Sequence, residues 1–556
     1  MKLVIVGGVA GGASAAARAR RLSEDAEIVV FERGPDVSFA NCGLPYYVGG
    51  EIAPRDKLLV AKPKLLRERF RLDVRTRSSV EAIDRQGKTV RVKDLDTGRE
   101  YDEAYDALIL APGAAPLRPP IAGIDLPNVL TLRNLDDVDR IKARVDAAAK
   151  RVVVVGAGFI GLELAENFVK LGMETVVVEL QTQVLPPLDP EMTVPLVEAL
   201  TSRGVRVILG DSADGFVAAG GGVAVKLKSG ETLPADLVIL GVGVRPENTL
   251  AVDAGLDVGQ RGGIRVSESM QTSDPAIWAV GDAVEIRDFV TGAASQVPLA
   301  GPANRQGRIA AAAILGGDSR PVARYRGTQA TAIVGVFDRV AAITGASEKV
   351  LVRANLPYRK IYVHPADHAG YYPGAEQMTL KLLFAPDTGR LLGAQAVGGH
   401  GVDKRIDVIA VAIQAGMTVF DLEEMELCYA PQFGSAKDAV NMAGFVAAGL
   451  VRGDHPQADM ATALDGPPDD QTILLDVRTP KEFAEGHLPG AVNIPVDDLR
   501  GRLGELSKDR QILAYCQVGM RGYIATRILL QKGFDVANLG GGYKTFLLLR
   551  AARGSR

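Results

Sequence analysis

The chain opens with a mostly apolar run, KLVIV at 2–6, then GGVAGG at 7–12, an alanine-rich stretch at 13–22 and a second apolar run, EIVVFE, at 27–32. An apolar run bounded by glycines predicts a strand buried on both faces, and the alanine-rich stretch predicts a helix. Strand, turn, helix and strand form a unit whose turn aims backbone N–H groups and a helix N-terminus at a pyrophosphate. The acid that ends the second strand, Glu32, is placed to accept from a ribose hydroxyl. The pattern returns at RVVVV, 151–155: Gly156, Gly158 and Gly161 complete G-x-G-x-x-G, a helix follows, and TVVVE ends at Glu179. In the first copy Val9 replaces the middle glycine. One match is compatible with a chance turn; two in the same context, each with its acid, point to two dinucleotide sites. A carboxylate at Glu179 repels a 2′-phosphate, and Leu180 and Gln181 add no cation, so NADH is expected, with NADPH as the alternative.

Further along, DALILAPGAAP at 106–116 predicts a strand entering a Pro-Gly turn, and IWAVGDA at 277–283 a strand running into Gly281 and Asp282. The stretch 325–450 mixes strands, such as TLKLLFA at 379–385, with helices. Residues 451–470 lose periodicity and gather Pro, Gly and Asp, which predicts a linker. After it, ILLDVRT and RQILAYC read as strands and IATRILLQKG as a helix.

At 556 residues the chain needs several cores. A net charge of −3 gives no reason to expect nucleic acid or an anionic membrane as partner. No uninterrupted apolar run approaches transmembrane length. The N-terminal apolar segment superficially resembles a signal peptide but reads as strand, turn and helix. Cys42, Cys428 and Cys516 are far apart, and so predict neither a disulfide framework nor a metal site. Free thiols of this kind suit a reducing cytoplasm.

Two of the three cysteines sit in chemical settings. Cys42 lies in SFANCGLPYY, 38–47, where Ser38, Asn41 and Gly43 are expected to supply donors that stabilise a thiolate and lower its pKa. Cys516 ends a strand and opens CQVGMRGY, 516–523, ahead of a helix. Successive loop N–H groups and a helix N-terminus make an anion cradle there, suited to a persulfide. For either cysteine the plainer reading is a small buried hydrophobe.

With these motifs in place, the chain resembles the two-dinucleotide flavoprotein disulfide reductases. S-F-x-N-C-G-L-P-Y-Y is similar to the single-cysteine subgroup, and within it to the coenzyme A-disulfide reductases; Tyr47 fills the place of a second cysteine. DVRTPKEFAEGHLPGAVNIP, with CQVGMRGY and NLGGGY, resembles the rhodanese family. Together they resemble coenzyme A-disulfide reductase–rhodanese fusions, which act as NAD(P)H-dependent persulfide or polysulfide reductases. The fold this implies is α/β: Rossmann-like FAD and NAD domains, an α+β dimerisation domain and a C-terminal α/β rhodanese domain. The expected boundaries are 1–115 and 246–322 for FAD, 116–245 for NAD(P)H, 323–450 for dimerisation, 451–470 for the linker and 471–556 for rhodanese.

The resemblance implies FAD contacts from Gly7, Val9, Ala10, Gly12, Glu32 and Arg33, joined by Gly113, Asp282, Ala300 and Phe445. It implies NAD contacts from Gly156, Gly158, Phe159, Ile160, Gly161, Glu179 and Gly243. Coenzyme A would be held by Ser14, Arg18, Arg21, Ser38 and Asn41, with Arg71, Asn304 and Lys437. Arg18 and Arg21, three apart on one helix, share a face by spacing alone. Cys42 would pair with the thiol of bound coenzyme A, and Cys516 would carry sulfur with Arg521 closing its loop. CYAPQFGSAKD at 428–438 matches the family's C-terminal motif. By that match Tyr429 reaches the partner's active site in a homodimer, while Cys428 is structural. A second tyrosine is Tyr371 or Tyr372, of which Tyr371 is taken. The expected substrates are polysulfide, coenzyme A persulfide and coenzyme A disulfide.

Three other readings stay open: a coenzyme A-disulfide reductase with an accessory rhodanese, an NADH oxidase, and a non-enzymatic sulfur carrier or redox sensor. The oxidases and peroxidases carry a histidine in the first glycine loop. Ala10 stands there, and none of the five histidines precedes residue 364.

Overall fold

The computed structural model describes residues 1–147, 149–316 and 323–554. It forms two compact units, Met1–Val178 with Asp211–Ala330, and Glu179–Gly210 with Thr331–Arg556. The boundary expected after 322 falls on residues 317–322, outside the described residues.

In the first unit, Lys2–Val6 (β1) is the centre of a five-stranded parallel sheet, followed by helix Ala10–Leu22 (α1) and strand Glu27–Phe31 (β2). β2 and the strand Ala107–Leu110 flank β1, with Val4 opposite Val29 on one side and Leu108 on the other. Ile277–Ala279 and Asp73–Arg75 (β3) form the edges. Leu3, Val4 and Ile5 are fully buried, so this strand is apolar throughout rather than alternating. α1 packs against helix Ala300–Leu315 through small residues: a Cβ on Gly307 would lie 2.2 Å from the Gly11 carbonyl oxygen. A second parallel sheet holds Glu174–Glu179, Arg151–Val155, Leu237–Leu240 and Val129–Leu130. The chain passes between these sheets and back through an antiparallel ribbon, Ala114–Pro116 with Val244–Pro246. Arg133 clamps the crossing, donating to both carboxylate oxygens of Glu247 at 3.0 and 2.9 Å and to the Pro112 carbonyl at 3.2 Å.

The second unit contains an antiparallel sheet in the order Ala332–Val336, Arg339–Gly345, Leu391–Gly398, Thr379–Phe384, Arg359–Val363. Every residue of Thr379–Phe384 and Leu391–Gly398 is buried, including Lys381. Its ammonium donates to Asp189 at 2.7 Å, to Glu191 at 2.5 Å and to Glu348. Three carboxylates thus converge on a lysine that occupies the place a metal cation would take. The segment Glu179–Gly210, expected inside 116–245, groups with the second unit, where Asp189 and Glu191 pair with Lys381.

The stretch expected as a linker, 451–470, is largely ordered. Helix Ala439–Arg452 ends in it, and Gln457–Ala458 adds an edge strand beside Val536–Leu539. The C-terminal sheet runs Gln457–Ala458, Val536–Leu539, Gln511–Tyr515, Thr472–Asp476, Val492–Asn493, all parallel. It is tied to the antiparallel sheet by polar contacts: His364 to Thr545 at 2.9 Å and Lys360 to Asp459 at 2.9 Å. Among the described residues no helix is long and apolar enough to cross a membrane. All three cysteines are free.

Candidate functional site

Both glycine turns are built by steric necessity. Gly7 has φ +98°, and a Cβ there would lie 2.1 Å from the Ala111 carbonyl oxygen; a Cβ on Gly12 would lie 1.8 Å from that of Gly7. Val9 and Ala10 open α1, whose first turn has no acidic residue and no side-chain cap, which leaves its N–H groups for an anion. Glu32 accepts from Gly8 N and Gly34 N, both at 2.8 Å, so its carboxylate is fixed at the mouth of the turn. Arg33 pairs with Glu247 at 3.2 Å. Gly113, with φ +76°, lies 3.9 Å from Arg133 by its virtual Cβ.

In the second turn a Cβ on Gly156 would meet the Gly241 carbonyl oxygen at 2.4 Å, and one on Gly161 that of Gly156 at 2.0 Å. A Cβ on Gly158 would meet nothing within 4 Å, as a glycine that admits a ligand requires. Phe159 and Ile160 begin helix Phe159–Lys170, again without an acidic first turn. Gly243 is exposed with φ +115°. Glu179 ends its strand and accepts from Gln181 N at 2.8 Å. Two uncapped helix starts, each behind a turn that only glycine allows, fit FAD and a nicotinamide nucleotide.

Asp282 sits in a tight turn, Gly281–Ala283. Burial raises its carboxyl to about 6, against the pull of Arg133. Ala300 starts the helix that carries Asn304. Ser14 of α1 donates to Asn304 Oδ1 at 2.5 Å, so two residues 290 apart in sequence meet. Arg18 is half-buried and Arg21 exposed; neither forms an ion pair among the described residues. Arg20 between them is buried, donating to the carbonyls of Phe70, Arg71, Ser23 and Glu24, and is structural. Arg71 caps helix Pro63–Phe70 with φ +46° and faces Glu24 at 3.9 Å.

Cys42 lies in the turn Asn41–Gly43, just before helix Leu44–Val48 (α2), with its side chain exposed. The expected drop in its pKa does not occur: partial burial pushes the thiol up, and the charges of Glu163 and Asp282 push it further. The expected donors are engaged elsewhere. Asn41 Nδ2 donates to the Arg133 carbonyl at 3.1 Å, Gly43 N to Ala40 O at 3.0 Å, and Ser38 N, at φ +50°, to Gly8 O at 2.8 Å. Sequence reasoning missed Glu163, one turn into the second nucleotide helix. Burial lifts its carboxyl to about 7, while a hydrogen bond from Tyr46 of α2 at 3.3 Å opposes the rise. Its pattern, G-F-I-G-L-E, reads as helix interior and carries no sign of the contact with α2.

In the second unit the hydroxyls of Tyr371 and Tyr429 are 2.9 Å apart, and both rings are exposed. Tyr372 turns instead to the His368 ring. Cys428, expected to be structural, is exposed. Lys437 is exposed just before helix Ala439–Arg452, and Phe445 is 38% exposed on that helix.

Cys516 is buried at the end of Gln511–Tyr515, and its sulfur accepts from Gly519 N at 3.2 Å. Gly519 has φ +113°, and helix Met520–Gln531 begins directly after it. Arg521 does not simply close over the sulfur. Its Nη1 and Nη2 donate to Glu482 at 2.8 and 2.6 Å. Buried Arg478 donates to Asp476 and to Gln517 of the loop. Glu482 was legible only as the last residue of T-P-K-E, a capping-box signature.

Comparison with known proteins matches this architecture segment by segment. The family described as "Pyridine nucleotide-disulphide oxidoreductase" matches residues 1–307, its dimerisation domain residues 331–440, and the "Rhodanese-like domain" residues 458–548. A coenzyme A disulfide reductase of Staphylococcus haemolyticus (strain JCSC1435) is 35% identical over 450 residues, covering 81% of this chain and 100% of the relative. The crystal structure of reduced Bacillus anthracis CoADR-RHD superposes with a TM-score of 0.94 at 47% identity, covering 99% of this chain and 98% of that one. The structure of a NAD-dependent persulfide reductase from A. fulgidus gives a TM-score of 0.90 at 38% identity, covering 98% and 100%. With two glycine turns, a dimerisation sheet and a C-terminal cysteine loop accounted for, the chain belongs to the pyridine nucleotide-disulphide oxidoreductase family, whose cofactors are FAD and NAD(P)H, and carries a rhodanese-like domain.

Proposed function

We propose that this enzyme reduces sulfane sulfur to sulfide at the expense of NAD(P)H, with coenzyme A persulfide and polysulfide as substrates and coenzyme A disulfide as a further one. The observation that carries the reading is the isolation of Cys42. Tyr47 stands where a second cysteine would, so the loop has one sulfur and needs another from a ligand. The names of its relatives, coenzyme A disulfide reductase and NAD-dependent persulfide reductase, support it.

When bound, FAD relays the two electrons of NAD(P)H to sulfur. The side chains do the rest. The Cys42 thiolate attacks the inner sulfur of coenzyme A persulfide, forming Cys42–S–S–CoA and expelling HS⁻, and two-electron reduction of that disulfide frees both thiolates. Burial first, then the charges of Glu163 and Asp282, hold the thiol pKa up, so a positive neighbour is needed to make the thiolate. Ser14, Asn304, Arg18 and Arg21, with Ser38, Asn41, Arg71 and Lys437, would hold coenzyme A. The partner subunit's Tyr429, hydrogen-bonded to Tyr371, would donate the proton to the leaving sulfur. Cys516 takes sulfur from polysulfide or small persulfides and passes it to coenzyme A. Glu179 favours NADH over NADPH. Three unpaired thiols suit the cytoplasm. The domain plan is retained, with the rhodanese-like sheet starting at Gln457.

Sulfide release and the mass of the isolated protein test this together. Cys42→Ser should abolish NADH-dependent sulfide release, and the wild type should lose an adduct of coenzyme A mass on reduction. Cys516→Ser should retain turnover of coenzyme A persulfide but slow that of polysulfide. Undiminished sulfide release in Cys42→Ser would end the proposal.

A further inference from the structure

A loop that takes sulfur from a dianion needs positive charge not already neutralised, because the donor must approach a thiolate. The Cys516 loop has two guanidinium groups beside it, and each faces its own carboxylate. Arg521 is held by both oxygens of Glu482 at 2.8 and 2.6 Å. Glu482 is fixed in turn: Thr479 N and Oγ1 donate to it at 2.9 and 2.8 Å, in the capping box of helix Pro480–Glu485. Arg521 and these donors hold its carboxyl down to about 2, so it is ionised under all working conditions. Arg478 donates to Asp476 Oδ1 at 3.0 Å and to Oδ2 at 2.7 Å, and both residues are buried. Beside these neutralised guanidinium groups, the Gly519 N–H and the start of helix Met520–Gln531 face a bound anion. Arg521 is within electrostatic reach of the Cys516 sulfur, so its neutralisation matters to any anion bound there.

We propose that Glu482 is a specificity-determining residue of the rhodanese-like domain: by pairing with Arg521 it neutralises the guanidinium charge beside the Cys516 loop, so the loop accepts sulfur from singly charged alkyl persulfides and discriminates against thiosulfate. This rests on the reading of Cys516 as the sulfur-accepting nucleophile. With a persulfide, the thiolate attacks the terminal sulfur: Cys516–S⁻ and R–S–S⁻ give Cys516–S–S⁻ and R–S⁻. With thiosulfate, Cys516–S⁻ and S–SO₃²⁻ give Cys516–S–S⁻ and SO₃²⁻. Neither step needs an outside oxidant or reductant. They differ in the second charge, carried by a sulfonate that Arg521 would hold if it were free.

The test uses the full-length flavin-loaded protein carrying Cys42→Ser, so that loaded sulfur is not drained by reduction. It is mixed with thiosulfate or with cysteine persulfide, and the gain of one sulfur on the Cys516 peptide is followed by mass spectrometry, with sulfite release as a second signal for thiosulfate. The parent should load from cysteine persulfide much faster. Glu482→Gln keeps a capping side chain but frees the guanidinium, and should raise the thiosulfate-to-persulfide rate ratio by about tenfold or more. Added salt should erase that gain, which a merely structural disturbance would not show. Glu482→Asp should stay near the parent ratio. If Glu482→Gln fails to fold, Met520→Arg, at the exposed first residue of the helix, adds an unpaired guanidinium and should give the same salt-sensitive gain. A parent that takes both donors equally, or an unchanged ratio in the folded variants, overturns the role of Glu482. Failure of Cys516 to load from either donor overturns the reading of Cys516 itself, and the inference with it.

Discussion

Replacing Lys381 with methionine should be among the most damaging single changes outside the nucleotide sites, and its size follows from the charge count around it. Lys381 is fully buried, and three carboxylates converge on it. The nearest other cation, Lys360, donates to Glu348 at 3.1 Å and also pairs with Asp459. Among the described residues, Lys381 is the one cation that donates to all three carboxylates; Lys360 is shared with Asp459, and Lys349 acts only at a distance on Asp189 and Glu191. Glu348 measures part of the loss. Burial pushes its carboxyl up, but the charges of Lys381 and Lys360 outweigh this and hold it at about 2, against an ordinary 4.5. Such a difference corresponds to about 3 kcal/mol. Removing one partner of a buried ion cluster typically costs about 3–5 kcal/mol, which agrees. A depressed carboxylate stabilises the fold fully above its unfolded pKa, and the effect is lost as pH falls from 4.5 towards 2. The destabilisation should therefore be full at pH 8 and shrink below pH 4.5. Amide hydrogen exchange on the full-length protein, read over Thr379–Phe384 and Pro190–Thr201, should show opening about 100-fold or more easier at pH 8. A loss below about 1 kcal/mol at pH 8 would refute the reasoning, because it would mean water already solvates the cluster.

Glu163→Gln removes a charge that raises the Cys42 pKa, so alkylation of Cys42 by iodoacetamide should proceed at lower pH than in the wild type. Because the folded pKa of Glu163 is about 7, above its ordinary 4.5, ionising it costs the fold up to about 3 kcal/mol as pH rises through that window. The variant should thus gain stability over the wild type above pH 7 and none below 4.5, as read by urea unfolding at pH 8 and 4.5. His364 is buried between Thr379 and Thr545, and burial lowers its pKa to about 3. The unfolded chain therefore binds more protons, and stability should fall below pH 6.5 by up to about 5 kcal/mol, a dependence that His364→Gln should remove. Gly12→Ala forces a Cβ to within 1.8 Å of the Gly7 carbonyl oxygen and should yield protein without flavin absorbance. Gly158→Ala meets no protein atom, and should keep the flavin while weakening NADH binding in a titration.

How far the sequence spoke can be judged from particular residues. β1, β2 and the two glycine turns were legible because their determinants are local: an apolar run buried on both faces cannot alternate, and a turn whose Cβ would strike a carbonyl admits only glycine. The Cys516 loop was legible for the same reason, since strand end, Gly519 and helix start are contiguous. Side-chain partners across long separations were not. Nothing near Lys381 announces that its counter-charges lie at Asp189, Glu191 and Glu348. Nothing in SFANCGLPYY announces that Asn41 and Gly43 would be engaged by other carbonyls, leaving Cys42 to the fields of Glu163 and Asp282. Arginines 18, 20 and 21 look alike in sequence, and only the carbonyls of Phe70 and Arg71 single out Arg20 as structural. The amino-acid order alone thus determined the elements, the glycine turns and the strand-end setting of Cys516, because each depends on neighbours in the chain. The tertiary structure alone decided the charges around Cys42, the pairing of Arg521 with Glu482 and the carboxylates gathered on Lys381. Electrostatic energy depends on distance and burial in space, and separation along the chain carries no record of either.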